Sequence, residues 1–151
     1  MKTIIEDINQ KKGKHVLKNE YWESQGVAVE RCHLPWGDYI AAPPVAVDTK
    51  QDIIEITTNM CGSMNEKRRF REECKGAQAA GCKLVFLIED KRYNQIGDLY
   101  GTKIWLHTGQ IIPGDQVARA METMAARYGC EFRFCRPEDA GRIVEEILSN
   151  E

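Results

Sequence analysis

Apolar positions along the chain recur with two different periods, and each period predicts a different kind of element. Short stretches in which apolar residues alternate with others, or run together, are typical of β-strands, whose side chains point to opposite faces in turn. The run at 83–88 is almost wholly apolar, which predicts a central strand buried on both faces. The predicted strands are 3–8, 27–34, 38–41, 45–50, 83–88, 103–106 and 131–135.

Longer stretches carry apolar residues three and four positions apart and predict helices. Gly26 and Gly81 end two of them, and Pro137 opens the last. The predicted helices are 15–25, 52–60, 65–80, 115–128 and 137–149. Their predicted inner faces carry Val16, Leu17, Tyr21 and Trp22; Val117, Ala120, Met121 and Met124; and Ile143, Ile147 and Leu148. This order of elements predicts an α/β fold with a mixed central sheet flanked by helices.

The composition is that of an ordinary globular protein. With 151 residues, 42% of them apolar and 29% charged, the chain is expected to form a single domain over 1–151. No apolar run approaches the roughly 18–20 residues of a membrane span, and the early acidic residues are unlike a signal peptide, so we expect a cytoplasmic protein with no membrane partner. The six cysteines lack zinc-type spacing, which predicts free buried thiols, and without a phosphate-cradling glycine motif we expect no nucleotide cofactor.

The formal net charge of −2 argues against nonspecific coating of nucleic acid, but it leaves room for local basic patches. Two such patches exist, one near the start of the chain with Lys12 and Lys14, and one over 67–75 with Arg68 and Arg69. Charge runs of this kind are usually solvated surface, and contact with the phosphates of DNA is the alternative.

The candidate catalytic residues lie at the end of the apolar run that starts at Val45. Asp48 and Lys50 stand two residues apart there, so on a strand they would project from the same face, and Asp38 follows Gly37 just upstream. Two carboxylates can hold a divalent cation, and a nearby ammonium group can orient a water or stabilise developing negative charge. This is the chemistry of phosphodiester hydrolysis. The alternatives are a turn-stabilising role for Asp38 and a simple ion pair for Lys50.

These residues belong to an ordered set of motifs that covers nearly the whole chain. The set comprises Glu6-Asp7 at the end of a strand, Gly37-Asp38-Tyr39, Val47-Asp48-Thr49-Lys50, Arg69-Phe70 and Leu87-Ile88-Glu89. With these motifs in this order, the chain resembles the XPF-type nuclease domain of the PD-(D/E)xK superfamily, with its restriction-endonuclease-like fold, in a stand-alone bacterial or phage form. It departs from the family pattern in three of its motifs. Asp48-Thr49-Lys50 stands in place of Glu-Arg-Lys, and Asn9 and Gln10 follow Asp7 in place of a continuing acid-x-Arg-Glu. The acid usually found soon after the lysine is out of register, with Asp52 and Glu55 as the nearest candidates.

The resemblance implies a metal site of oxygen ligands, for which Mg²⁺ or Mn²⁺ is better suited than zinc. The implied ligands are Asp7, Asp38, Asp48 and the backbone carbonyl of Thr49. Lys50 would position the attacking water or stabilise the pentacovalent phosphate. Glu6 is the alternative to Asp7, because a shift of one residue in register exchanges the faces of a strand.

The resemblance also implies contacts with DNA and groups that support the site. The expected DNA-binding residues are Lys12, Lys14, Arg68 and Arg69. Glu73 would support the site, or it would pair with Arg69 across one helical turn. Glu89 would support the site or be exposed.

The function implied by the resemblance is that of a metal-dependent DNA endonuclease. It would cut branched, flap or junction DNA during repair, recombination or phage DNA processing, with a homodimer or a single chain as the open alternatives for its assembly. The alternative function is a noncatalytic DNA-binding or scaffolding module that keeps the nuclease fold.

Overall fold

The computed structural model describes residues 3–41 and 45–150, and these residues form a mixed sheet between two layers of helices. The strands are β1 Thr3–Asp7, β2 Ala28–Cys32, β3 Tyr39–Ala41, β4 Val45–Lys50, β5 Lys83–Ile88, β6 Lys103–Trp105, β7 Ile111–Pro113 and β8 Glu131–Phe134. The helices are α1 Val16–Ser24, α2 Ile53–Cys61, α3 Met64–Ala79, α4 Gly114–Tyr128 and α5 Ala140–Asn150. The predicted fold class, a mixed α/β sheet flanked by helices, is confirmed.

Six strands form the central sheet in the order β2-β1-β3-β4-β5-β8, and β6 and β7 form a separate hairpin. β3 runs antiparallel to both of its neighbours, whereas β1 and β2, and β4, β5 and β8, pair in parallel. Because β3 is antiparallel to both β1 and β4, those two strands run in the same direction, as does β5. The carboxyl ends of β1, β4 and β5 therefore lie at one edge of the sheet, where β3 begins. We call this edge the carboxyl edge, and it collects the acidic residues that the sequence analysis singled out.

The two faces of the sheet have different cores. α2, α3 and α4 cover one face, where the ring of Phe86 lies 4.8 Å from that of Phe70 and 5.2 Å from that of Phe132. α1 and α5 cover the other face, where Trp22 contacts Tyr39 edge to face and donates a 2.8 Å hydrogen bond to the carbonyl of Gly141. β5 supplies buried residues to both cores, as its unbroken apolar run predicts.

Serine and aspartate caps fix where α2 and α3 begin. The Asp52 carboxylate accepts a 2.9 Å hydrogen bond from the Glu55 N–H, and the Ser63 hydroxyl accepts a 3.2 Å bond from the Glu66 N–H. Such caps satisfy N–H groups that have no partner within the helix.

Several details differ from the predictions. The predicted inner face of α1 is confirmed at Tyr21 and Trp22, which pack into the core. It is wrong at Val16 and Leu17, which are 47% and 53% exposed, while Lys18 is buried in an ion pair with Glu89. The short strand β7 lies in a stretch predicted to be loop, and α5 begins at Ala140 after a single 3₁₀ turn.

Five cysteines are buried and Cys32 is exposed, all of them as free thiols. Within the described ranges, no helix has the length and apolar character needed to span a membrane. Ile147 and Leu148, on the predicted inner face of the last helix, are buried in the core of their own chain.

Candidate active site

Strand pairing sets three acidic residues side by side at the carboxyl edge. Tyr39 pairs with Glu6 on one side and with Val47 on the other. The next residues toward the edge are therefore Asp7, Asp38 and Asp48, on three consecutive strands. Backbone hydrogen bonds continue the pairing, from the Asp7 N–H to the Asp38 carbonyl at 2.6 Å and from the Asp38 N–H to the Val47 carbonyl at 2.7 Å.

Asp48 and Lys50 project from the same face of β4, as their spacing predicts. The Lys50 Nζ lies 3.0 Å from the Asp48 Oδ1, and both side chains are about nine-tenths buried. The ammonium group also lies 5.9 Å from the centre of the Phe86 ring. Burial disfavours the Lys50 ammonium, but the negative charge of Asp48 and of further nearby carboxylates outweighs burial and raises the pKa of Lys50.

The turn before β3 depends on Gly37. Its backbone has a φ of +71°, and an added Cβ would come within 2.9 Å of the Ala46 Cβ. Only glycine adopts this conformation without strain and permits so close an approach. The turn directs the Asp38 carboxylate to β4, where Oδ2 accepts hydrogen bonds from the Thr49 N–H at 2.6 Å and from the Thr49 hydroxyl at 3.2 Å.

A third carboxyl group reaches the site from α3. The Glu73 Oε2 accepts a 3.0 Å hydrogen bond from the Gly37 N–H, and the Glu73 carboxyl is hydrogen-bonded to that of Asp48. Burial and the adjacent Asp48 raise the pKa of Glu73 to about 9. The predicted pair between Arg69 and Glu73 is not formed, because Arg69 instead contacts Glu66 at 2.7 Å on the solvent side of the helix.

The site places several acidic groups around a single cation. Burial, and then repulsion from Asp48, raise the pKa of Asp38 well above its usual range. Three carboxyl groups, those of Asp38, Asp48 and Glu73, therefore share one ammonium group, that of Lys50. Crowded carboxylates of this kind are stabilised by a cation, which removes their mutual repulsion.

A cleft of about 420 Å³ opens beside these groups, and of the four only Lys50 and Glu73 line it. Its lining residues are Pro35, Lys50, Asn59, Glu66, Arg69, Phe70 and Glu73. The Asn59 amide donates to Glu66 at 3.2 Å, and its own Oδ1 has no partner in the described part of the chain. The sequence analysis missed Asn59, although a polar residue near the end of the apolar helix α2 was the available signal.

The first strand contributes less than the sequence predicted. Asp7 lies on the same face as Asp38, but its Oδ1 accepts a hydrogen bond from the Leu34 N–H at 3.2 Å and the residue does not line the cleft. Glu6 points to the opposite face, where it pairs with Arg31 at 2.9 Å. Of the two alternatives, Asp7 is the one that faces the site.

The predicted DNA-binding residues are dispersed. Arg69 lines the cleft, whereas Arg68 pairs with Glu72 at 3.3 Å on the exposed side of α3. Lys14 is exposed in the turn before α1 and does not line the cleft, and the side chain of Lys12 lies outside the described residues.

The donor set suits a hard divalent cation, because all its side-chain ligands are carboxylate oxygens. In the conformation described, each carboxyl group has a partner from the chain itself. Within 3–41 and 45–150, no three His, Cys, Asp or Glu side chains surround a common point as a formed metal cage. Asp38, Asp48 and Glu73 thus have the oxygen-donor chemistry that a hard cation prefers, and hydrogen bonds within the chain hold their carboxyl groups in the conformation described.

Comparison with known families gives the same assignment as the motifs. The model of the ERCC4 domain matches residues 8–147, which is nearly the whole chain. The chain belongs to the ERCC4 domain family. Members of this family are nuclease domains, and they typically use a divalent metal. The XPF-type resemblance is thereby confirmed at the level of the family.

Two solved structures of an archaeal protein share the fold. XPF from Aeropyrum pernix superposes with a TM-score of 0.67, and XPF from Aeropyrum pernix in complex with DNA with a TM-score of 0.64, each at 17% sequence identity. The alignment covers 98% of this chain and 64% of the archaeal chain in both cases, so this chain spans less than two thirds of the protein it matches. At this identity the likeness shows the fold. No curated protein matches the sequence closely enough to add a relative.

Proposed function

We propose that this ERCC4 domain is a metal-dependent endonuclease that hydrolyses phosphodiester bonds in branched, flap or junction DNA. The observation that supports it is the convergence of Asp38, Asp48 and Glu73 around Lys50, with Lys50 and Glu73 lining an open cleft. The archaeal relative of the same fold has been crystallised with DNA, which agrees with this substrate. Repair, recombination or phage DNA processing are the settings in which such a substrate arises.

The proposed mechanism assigns each group a task. Asp38, Asp48 and Glu73 would hold Mg²⁺ or Mn²⁺, with Asp7 and the Thr49 carbonyl as further candidate ligands. When bound, the cation would polarise the scissile phosphate and lower the pKa of a water.

The remaining steps belong to the side chains around the metal ligands. Lys50, kept charged by its carboxylate neighbours, donates hydrogen bonds to the attacking water or to the phosphate oxygens as negative charge develops. Arg69 lies at the mouth of the cleft, where its guanidinium group can bind a phosphate once it leaves Glu66.

A noncatalytic DNA-binding module is the second candidate function, and one observation favours it. Gln10 stands where XPF-type domains continue into a glutamate, and its amide donates to the Thr49 hydroxyl at 3.2 Å and to the Tyr39 hydroxyl at 3.4 Å. A neutral amide bound in this way completes a hydrogen-bond network that needs no metal.

The variant Asp48→Asn separates the two functions. We expect wild type to cleave a panel of single-stranded, duplex, flap and four-way substrates selectively in Mg²⁺, and Asp48→Asn to lose cleavage while remaining folded. Glu72→Gln is the matched control, because Glu72 lies on α3 but pairs only with the exposed Arg68. Full activity in Asp48→Asn would refute the proposed site.

Cation binding supplies a readout that does not depend on cleavage. A ligand that binds only the folded chain, at about 100 times its Kd, stabilises it by about 2.7 kcal/mol. We expect Mn²⁺ to raise the melting temperature of wild type and of Glu72→Gln, and to have little effect on Asp48→Asn. If wild type binds branched DNA but shows neither cleavage nor a Mn²⁺ shift, the noncatalytic module is the correct function.

A further inference from the structure

A second groove lies beside the cleft, between the helices α3 and α4. It has a volume of about 350 Å³ and an apolar floor that includes Met60, Phe70 and Met124. Phe70 also lines the cleft, so the groove and the cleft are neighbours that share this side chain as a wall. We call it the helix groove.

Basic residues line both walls of the helix groove. Lys67 and Arg71 project from α3, and Arg119 projects from α4. Within the described part of the chain, none of the three forms an ion pair. Each helix carries a further basic residue beyond the groove. Lys75 lies one turn after Arg71 on α3, and Arg127 lies two turns after Arg119 on α4.

Lys67 and Arg71 belong to the basic patch over 67–75 that the sequence predicts, but they differ from Arg68 and Arg69 in that patch. Arg68 and Arg69 are on the same helix, but Glu72 and Glu66 already neutralise them. From Lys67 to Lys75, α3 therefore presents an uncompensated basic row about 12 Å long, at 1.5 Å of rise per residue. In a chain with a net charge of −2, this row is a local site for a polyanion.

We propose that the helix groove binds the phosphate backbone of an unpaired DNA strand leading away from the cleft. The apolar floor favours a single strand over a duplex, because a duplex buries its base faces internally whereas a single strand can lay bases and sugars against apolar side chains. The cations on the two walls pair with the phosphates. This inference rests on the proposed function, since it supplies the arm of a branched or flap substrate.

The test measures binding without cleavage. A fluorescein-labelled oligothymidine of about 15 nucleotides is titrated against the full chain in EDTA, and anisotropy is followed at several salt concentrations. The variant Arg71→Ala with Arg119→Ala removes one cation from each wall, and both side chains are exposed, so the fold is retained. Arg68→Ala is the control, an exposed arginine on α3 that Glu72 neutralises.

We expect the double variant to bind the oligothymidine about tenfold more weakly. The logarithm of its association constant should also depend less steeply on the logarithm of the salt concentration. Each phosphate contact to a single strand contributes about 0.7 to the size of that slope, so losing two contacts should reduce it by about 1.4. Arg68→Ala should bind within about twofold of wild type. A labelled duplex of the same length should bind less tightly than the oligothymidine and respond less to the double variant.

Four results would overturn the proposal. The first is unchanged binding in the double variant, and the second is an equal loss in Arg68→Ala. The third is a larger loss for the duplex than for the oligothymidine. The fourth is selective binding of an acidic amphipathic peptide that the oligothymidine cannot displace. Because EDTA removes the metal, these outcomes are independent of whether the chain cleaves DNA, so failure of the helix groove and failure of the nuclease site are distinguishable.

Discussion

The carboxyl group of Glu73 makes the stability of the metal-free chain depend on pH. Its pKa is raised from the ordinary value of 4.5 to about 9 by burial and by Asp48. Between these pH values the folded chain holds a proton that the unfolded chain has released, so folding takes up a proton. The free energy of unfolding is therefore highest, as far as Glu73 is concerned, below pH 4.5, and it falls as the pH rises toward 9. One pKa unit corresponds to about 1.4 kcal/mol, so at pH 7 this single group costs about 3 kcal/mol relative to pH 4.5.

Replacement of Glu73 by glutamine removes this cost. The amide has the shape of the protonated carboxyl group, so it can still accept from the Gly37 N–H and donate to Asp48. We expect Glu73→Gln to match wild type near pH 4.5 and to exceed it by about 3 kcal/mol at pH 7. For a domain of this size, that difference raises the melting temperature by about 6–12 °C.

Urea denaturation of both proteins in EDTA, at several pH values between 4.5 and 9, measures the difference directly. Glu72→Gln is the control, since that exposed carboxylate pairs with Arg68 and should give a small difference that changes little with pH. A Glu73→Gln variant that is less stable than wild type at every pH, or whose advantage does not grow with pH, would refute the assigned contact between Glu73 and Asp48.

Two further predictions concern the framework around the site. Lys18→Met leaves the buried Glu89 carboxylate without its partner at 2.7 Å. We expect this variant to lower the free energy of unfolding, measured by urea denaturation, by about 3–5 kcal/mol. Adding Glu89→Leu should recover much of that loss, because it removes the unpaired buried charge. Gly37→Ala forces a positive φ on alanine and brings its Cβ within 2.9 Å of the Ala46 Cβ. We expect it to lower the free energy of unfolding by about 2–4 kcal/mol. A variant as stable as wild type would show that the turn is not constrained.

The parts of the fold that the sequence predicts are those in which local pattern and tertiary environment agree. β5 is apolar throughout because both faces are covered, and β4 pairs with it over the full predicted span. The prediction for α1 placed Val16 and Leu17 on the inner face because helical periodicity considers only apolar side chains, and it therefore missed the buried Lys18. Lys18 is drawn inside by a carboxylate 71 residues away, and no local pattern contains that information.

The candidate site divides in the same way. Asp48 and Lys50 were predicted to share a face because alternation along a strand requires only the sequence of that strand. Glu73 could not be placed, because spacing on α3 allows it to pair with Arg69 equally well. Its position depends on how α3 lies across the sheet, which brings it to the Gly37 N–H.

The position of Glu73 also affects the choice between the two candidate functions. Where XPF-type domains have a glutamate after the first strand, this chain has the neutral Gln10, so β1 supplies one carboxylate fewer to the carboxyl edge. α3 supplies Glu73 in hydrogen-bonding contact with Asp48, which restores the number of carboxyl groups around Lys50. Loss of the metal site would require the carboxyl group to be lost altogether. Because α3 supplies a carboxyl group here, the departure from the family pattern favours a rearranged cation site over an abandoned one.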